Sequence, residues 1–122
     1  MERVDDMTEE TKQKIQKIAS HYGYDAQSRQ CIEEMAELTQ AINKFWRKQL
    51  KCGLFTVEEI KNYGEGVSSL SELKATDGYK NLVKEMADVQ ITLWQLEYLL
   101  NADTSIIIQQ KLDRQIERIE RE

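Results

Sequence analysis

Two short acidic motifs have the residue types and spacing to hold a cation. Glu34 and Glu37 lie three residues apart in IEEMAEL, and Glu85 and Asp88 lie three apart in KEMADVQ. Residues three apart share a helix face, so each motif would present its carboxylates side by side. Oxygen ligands of this kind suit Mg²⁺ or Mn²⁺. The spacing alone says little, because such pairs are frequent on solvated helix faces. The letters around them say more. At about 100° per residue, Cys31, Leu38, Ala41, Ile42 and Phe45 form an apolar stripe with Glu34 inside it and Glu37 on its edge, while Glu33 points to the opposite side. Leu82, Val89, Leu93, Leu96 and Leu100 form a second stripe that contains Glu85 and is flanked by Asp88. A carboxylate in a core position is costly unless it is paired or bound to a cation. One such residue is readily explained by a nearby lysine. Four on two helices point to a shared cation if the stripes face each other. A di-iron centre would need Glu-x-x-His motifs, and His21 is the only histidine.

The elements that must position these groups are helices. The chain of 122 residues contains no proline and five glycines, which favours long helices over a strand-rich fold with many tight turns. Asp6 to Thr8 can start a first helix, with Asp6 and Glu9 at capping-box spacing, and Gly23 ends it. Asp25 can cap a second helix running from Ala26 to about Lys48. Residues 49–79 are the least regular part, with a capping box at Thr56–Glu59, a stop near Gly64–Gly66, a further helical turn near Ser69–Lys74, and a turn signal at Thr76-Asp77-Gly78. Tyr79 to Asn101 reads as the next long helix. Asp103 or Thr104 caps the last, which carries Ile107, Ile108, Leu112, Ile116 and Ile119. The expectation is a single all-α domain over 1–122, four-helix-bundle-like, with long antiparallel helices. On the helix after Tyr79, Val83, Ala87, Ile91, Trp94 and Tyr98 make a second apolar stripe, so a homodimer or homotetramer is expected to complete the fold.

Composition narrows the partners. A net charge of -5 argues against a nucleic-acid surface, which needs clustered Lys and Arg. Small anions remain possible partners if a cation offsets the repulsion. Two cysteines without C-x-x-C spacing suggest neither a zinc site nor a disulfide framework. No apolar stretch resembles a signal peptide or reaches membrane-spanning length, so the expected location is the cytoplasm.

The segments HYGYDAQSRQCIEEMAELTQAINK and LVKEMADVQITLWQLEYLL together resemble the MazG-like all-α nucleoside triphosphate pyrophosphohydrolases. Glu34 and Glu37 match the family's E-x-x-E motif, and Glu85 and Asp88 match its E-x-x-D motif. The resemblance implies Mg²⁺ held by these four carboxylates and hydrolysis of a nucleoside triphosphate to the monophosphate and pyrophosphate. Under that implication Glu34 or Glu37 orients or deprotonates the attacking water, and sequence does not choose between them. The family often carries Lys, Asn and Arg along a C-terminal helix, where this chain has Lys111, Gln115 and Arg118. Lys111 and Arg118 are therefore candidate phosphate ligands. The segment between the acidic motifs is longer than usual in the family, which makes 49–79 an insertion. Gln27 and Gln30 lie one to two turns before Glu34 on nearly the same face, where their amides could bond a base or ribose. Lys44, Arg47 and Lys48 are explained by the helix C-terminus, which favours cations. The competing class is a non-enzymatic helical module, regulatory or partner-binding, in which the acidic stripes are structural.

Overall fold

The structure, a computed structural model, describes residues 7–51 and 71–122. Its elements are α1 (Glu9–Phe45), a π-helical turn (Trp46–Lys51), α2 (Ser71–Lys74), α3 (Asp77–Leu100) and α4 (Ser105–Glu120). No strand occurs among the described residues, so the all-α class holds. None of the described helices is long and apolar enough to cross a membrane. Asp6, Cys52-Gly53, the Thr56–Glu59 capping box and Gly64–Gly66 lie outside the described residues.

Each helix end has a local cause. Thr8 starts α1, its hydroxyl accepting the Thr11 N–H at 3.1 Å. Gly23 interrupts α1 with φ 84° and ψ 172°, a conformation that side chains other than hydrogen adopt only with strain. Helical geometry resumes directly afterwards. Asp25 therefore sits within helical backbone, not before it as the expected cap. Of the expected turn at Thr76-Asp77-Gly78, Thr76 lies in the bend before α3 and Asp77 and Gly78 already belong to the helix, where Thr76 Oγ1 accepts the Tyr79 N–H at 3.2 Å. At the other end Asn101 takes φ 50°. The Ala102 N–H reaches Glu97 O at 2.9 Å and the Asn101 N–H reaches Tyr98 O at 3.2 Å. Those two bonds make a Schellman stop, with asparagine at the left-handed position that glycine usually fills. Before α4, Asp103 Oδ1 accepts the Ser105 N–H at 2.9 Å, while Thr104 donates to Glu97 Oε1 at 2.9 Å.

The described helices group into two compact units, Met1–Gln27 with Leu93–Glu122, and Ser28–Thr92. In the second unit α1 and α3 pack antiparallel. The end of α1 lies by the start of α3, since a Cβ on Gly78 would stand 3.8 Å from Phe45, and Glu34 and Glu37 meet Glu85 further along. The buried positions of this unit are Cys31, Ala41, Leu73, Glu85, Val89 and Thr92, with Glu34, Leu38, Phe45 and Leu82 half-buried. Along each helix these positions alternate by three and four, the pattern of a narrow packing seam. Two corrections to the expected stripes follow. Ile42 is 50% exposed and Leu93 and Leu100 are likewise exposed, whereas polar Thr92 and Gln95 are buried. Thr92 is accommodated because its hydroxyl donates to Val89 O at 2.8 Å.

In the other unit Ile15 and Ala19 are buried, Gln27 donates a side-chain hydrogen bond to Gln95, and α4 has no buried residue. On α3, Val83, Ala87, Ile91 and Tyr98 are exposed and Trp94 is half-buried.

Candidate metal centre

The carboxylates belong to the Ser28–Thr92 unit, where α1 supplies Glu34 and Glu37 and α3 supplies Glu85 and Asp88. One carboxylate oxygen each from Glu34, Glu37 and Glu85 lies within 4.8 Å of the other two. Glu85 is 7% exposed, Glu34 is half-buried and Glu37 is exposed. The three therefore form a graded site, closed at the α3 side and open to solvent at Glu37. Asp88 stands outside this closest group. It is half-buried, one turn beyond Glu85, and its Oδ2 lies 3.4 Å from Lys84 Nζ.

The polar partners of the cluster leave part of its charge uncompensated. Gln30 Nε2 donates to Glu34 Oε1 at 2.7 Å. Lys84 Nζ reaches Glu85 Oε1 at 3.4 Å as well as Asp88. Glu34 Oε2 and Glu85 Oε2 are both buried and neither has a hydrogen-bond partner among the described residues. Buried acceptors are ordinarily satisfied, and these two belong to clustered residues on different helices. The crowding shows in protonation. The Glu34 charge, then burial, then the Glu85 charge raise the Glu37 pKa above its ordinary value. Hydrogen bonds to Glu85 and then Asp88 raise that of Lys84.

This donor set fits a divalent cation. It is all oxygen, anionic, drawn from two helices, and retains two buried oxygens with nothing to accept from. A lysine on the rim does not replace such an ion, because its side chain is 66% exposed and, among the described residues, pairs only with the α3 carboxylates.

The other sequence candidates are placed as follows. Gln30 touches the cluster through Glu34, and the amide of Gln27 is committed to Gln95. Lys111 and Arg118 are exposed on α4, in the unit that does not hold the carboxylates, and neither pairs with a described acidic residue. Sequence did not single out Lys84, which borders the site, or Gln95, which is buried in the other unit. Lys84 precedes Glu85, and its signal was the i, i+4 spacing to Asp88. Gln95 had no apolar character to mark it as a core position. Comparison with protein-family models, curated proteins and solved structures returns no match.

Proposed function

We propose that the Ser28–Thr92 unit carries the site of a divalent-cation-dependent nucleoside triphosphate pyrophosphohydrolase of the MazG-like kind, cleaving between the α- and β-phosphates. The observation that carries this reading is the pair of buried, unpartnered carboxylate oxygens, Glu34 Oε2 and Glu85 Oε2, within one cluster. Glu34, Glu37 and Glu85 would hold Mg²⁺, or Mn²⁺ in its place, with Asp88 joining once it leaves Lys84. Bound there, the cation supplies neutralisation of the polyphosphate and polarisation of the attacked phosphoryl group.

The chain's own residues have separable tasks. Gln30 fixes Glu34 Oε1 and so aims Oε2 inward. Glu85 anchors the closed side. Glu37 is the exposed member, and in this reading it would orient the attacking water. Lys84 balances the α3 carboxylates before a cation arrives. The exposed Val83, Ile91 and Tyr98 on α3, with the uncovered α4, are faces that a second copy would bury, so the working form is a homodimer or homotetramer completing a helical bundle. Sedimentation as a monomer at micromolar concentration would remove that part.

The test is a panel of ribo- and deoxyribonucleoside triphosphates with Mg²⁺, assayed separately for pyrophosphate and orthophosphate. Pyrophosphate release that disappears in Glu37→Ala and Glu85→Ala is expected. Activity surviving both substitutions would place the chemistry elsewhere.

A second reading, a non-enzymatic helical interaction module, is favoured by one observation. Helix α4 buries nothing and aligns Ile108, Leu112, Ile116 and Ile119 along one face. Under that reading no triphosphate is cleaved and millimolar Mg²⁺ leaves the melting temperature unchanged.

A further inference from the structure

A cavity of about 590 Å³ opens beside the carboxylate cluster, within the same unit. It lies between the end of α1, continued by the π-helical turn, and the start of α3. Lys44, Lys48 and Gln49 line it from one side, and Asp77, Gly78 and Asn81 from the other. Ala41, also in its wall, is one helical turn from Glu37, and Asn81 is one turn from Glu85. At 1.5 Å of rise per residue, Lys44 stands about 10 Å along the axis from Glu37.

Sequence explained Lys44 and Lys48 by the helix C-terminus that carries them. The structure gives them a different setting. Both are exposed, and neither pairs with an acidic side chain among the described residues. They face the N-terminus of a 24-residue helix. There Thr76 Oγ1 caps the Tyr79 N–H, while the Asp77 and Gly78 N–H groups, the first two of the helix, have no acceptor among the described residues. The wall thus offers two ammonium groups, two open backbone donors and the amides of Gln49 and Asn81. Asp77 is the one acidic group among its described lining residues. Ammonium groups and helix N-terminal N–H groups are donors that suit a phosphate oxyanion.

We propose that this cavity is an oxyanion subsite taking the outer phosphates of a polyphosphate whose inner end lies at the carboxylate cluster. The proposal rests on the reading of that cluster as a cation-dependent phosphoanhydride site, and deepens it by placing the leaving pyrophosphate. Lys44 and Lys48 neutralise its charge, the N–H groups of Asp77 and Gly78 fix its oxygens, and Asp77 limits how tightly the product is held. The phosphate-binding cations then lie in the same unit as the carboxylates, and Lys111 and Arg118 on α4 are not needed for this contact.

The experiment is a metal-free titration of the full chain with inorganic pyrophosphate at low salt, followed by amide resonances and by calorimetry. Wild type should bind, with the Gly78 resonance among the most shifted and affinity falling as salt is raised. Lys44→Gln and Lys48→Gln should each weaken binding several-fold and the double variant at least tenfold. Asp77→Asn should strengthen it about threefold. Opposite signs from variants in one wall separate electrostatics from altered folding, and melting curves of these exposed-site variants check the fold. Absence of pyrophosphate binding, or binding indifferent to both lysines, overturns the subsite. Loss of nucleotide cleavage in every assay, with this binding pattern intact, would instead sink the pyrophosphohydrolase reading and leave the subsite standing.

Discussion

Replacing Glu85 by glutamine should make the metal-free protein more stable, although it alters one of its most buried polar residues. Glu85 and Glu34 bring carboxylate oxygens to within 4.8 Å. Two full charges at that separation repel by about 3.5 kcal/mol at an effective dielectric of about 20. Glu34 is only half-buried, so solvent screens part of this. The opposing loss, the Glu85 contact with Lys84, is small because that lysine side chain is 66% exposed. A glutamine amide also brings a donor to the cluster, where Glu34 Oε2 has none. A net gain of about 1–2 kcal/mol follows, which for a chain of this size raises Tm by roughly 3–10 °C. Mg²⁺ reverses the order. A cation at a hundredfold excess over its Kd stabilises wild type by about 2.7 kcal/mol, while Glu85→Gln should show little response. Melting curves of both proteins in chelator and in Mg²⁺ decide the matter. A metal-free variant less stable than wild type, with no Mg²⁺ response in wild type, would mean that Glu85 is a structural partner of Lys84 and not a ligand awaiting an ion.

Protonation should work in the same direction as the amide. Since the Glu37 pKa is raised above its ordinary 4.5, the folded state holds more protons than the unfolded one between the two values. This group's contribution to metal-free stability is therefore full below the unfolded value and is lost as pH rises through the folded one. Protons compete with cations, so the Mg²⁺-induced rise in Tm should shrink as pH falls through the same window. A Mg²⁺ response that stays constant from about pH 7 to about pH 4 would contradict this placement of Glu37. In the other unit, Gln27→Leu should cost about 1–3 kcal/mol in chemical denaturation by stranding the Gln95 amide. Gln27→Leu with Gln95→Leu should recover most of that loss, and simple additivity would show that the two amides do not depend on each other.

The helices were legible because the chain lacks proline and its apolar residues recur at helical spacing. Glu85 was legible as a core position because it interrupts a run of apolar residues, and it is indeed 7% exposed. The details of the seam were harder to read. Counting apolar letters at a fixed angle placed Ile42, Leu93 and Leu100 inside, whereas the packed seam steps by three and four and takes in Thr92. Hydrophobicity does not announce a threonine that satisfies its own hydroxyl, or two glutamines that satisfy each other across helices. Thr76-Asp77-Gly78 was read as a turn because its residues suit turns and helix starts equally, and only the Thr76 hydrogen bond distinguishes them. The cavity beside Lys44 and Lys48 had no sequence signature, since the approach of Gln49 to Gly78 across 28 intervening positions is set by the antiparallel packing.

Cys31 gives the seam a clock. Its thiol is 2% exposed and sits one turn before Glu34 on α1. A soluble thiol reagent can reach it only during local openings, so its labelling rate is the intrinsic rate multiplied by the fraction of time the seam stands open. With Cys52→Ser, Cys31 is the sole thiol of the chain. Each 1.4 kcal/mol by which an ion draws Glu34 and Glu85 together should slow that labelling about tenfold, so occupancy of the carboxylates becomes readable as a time.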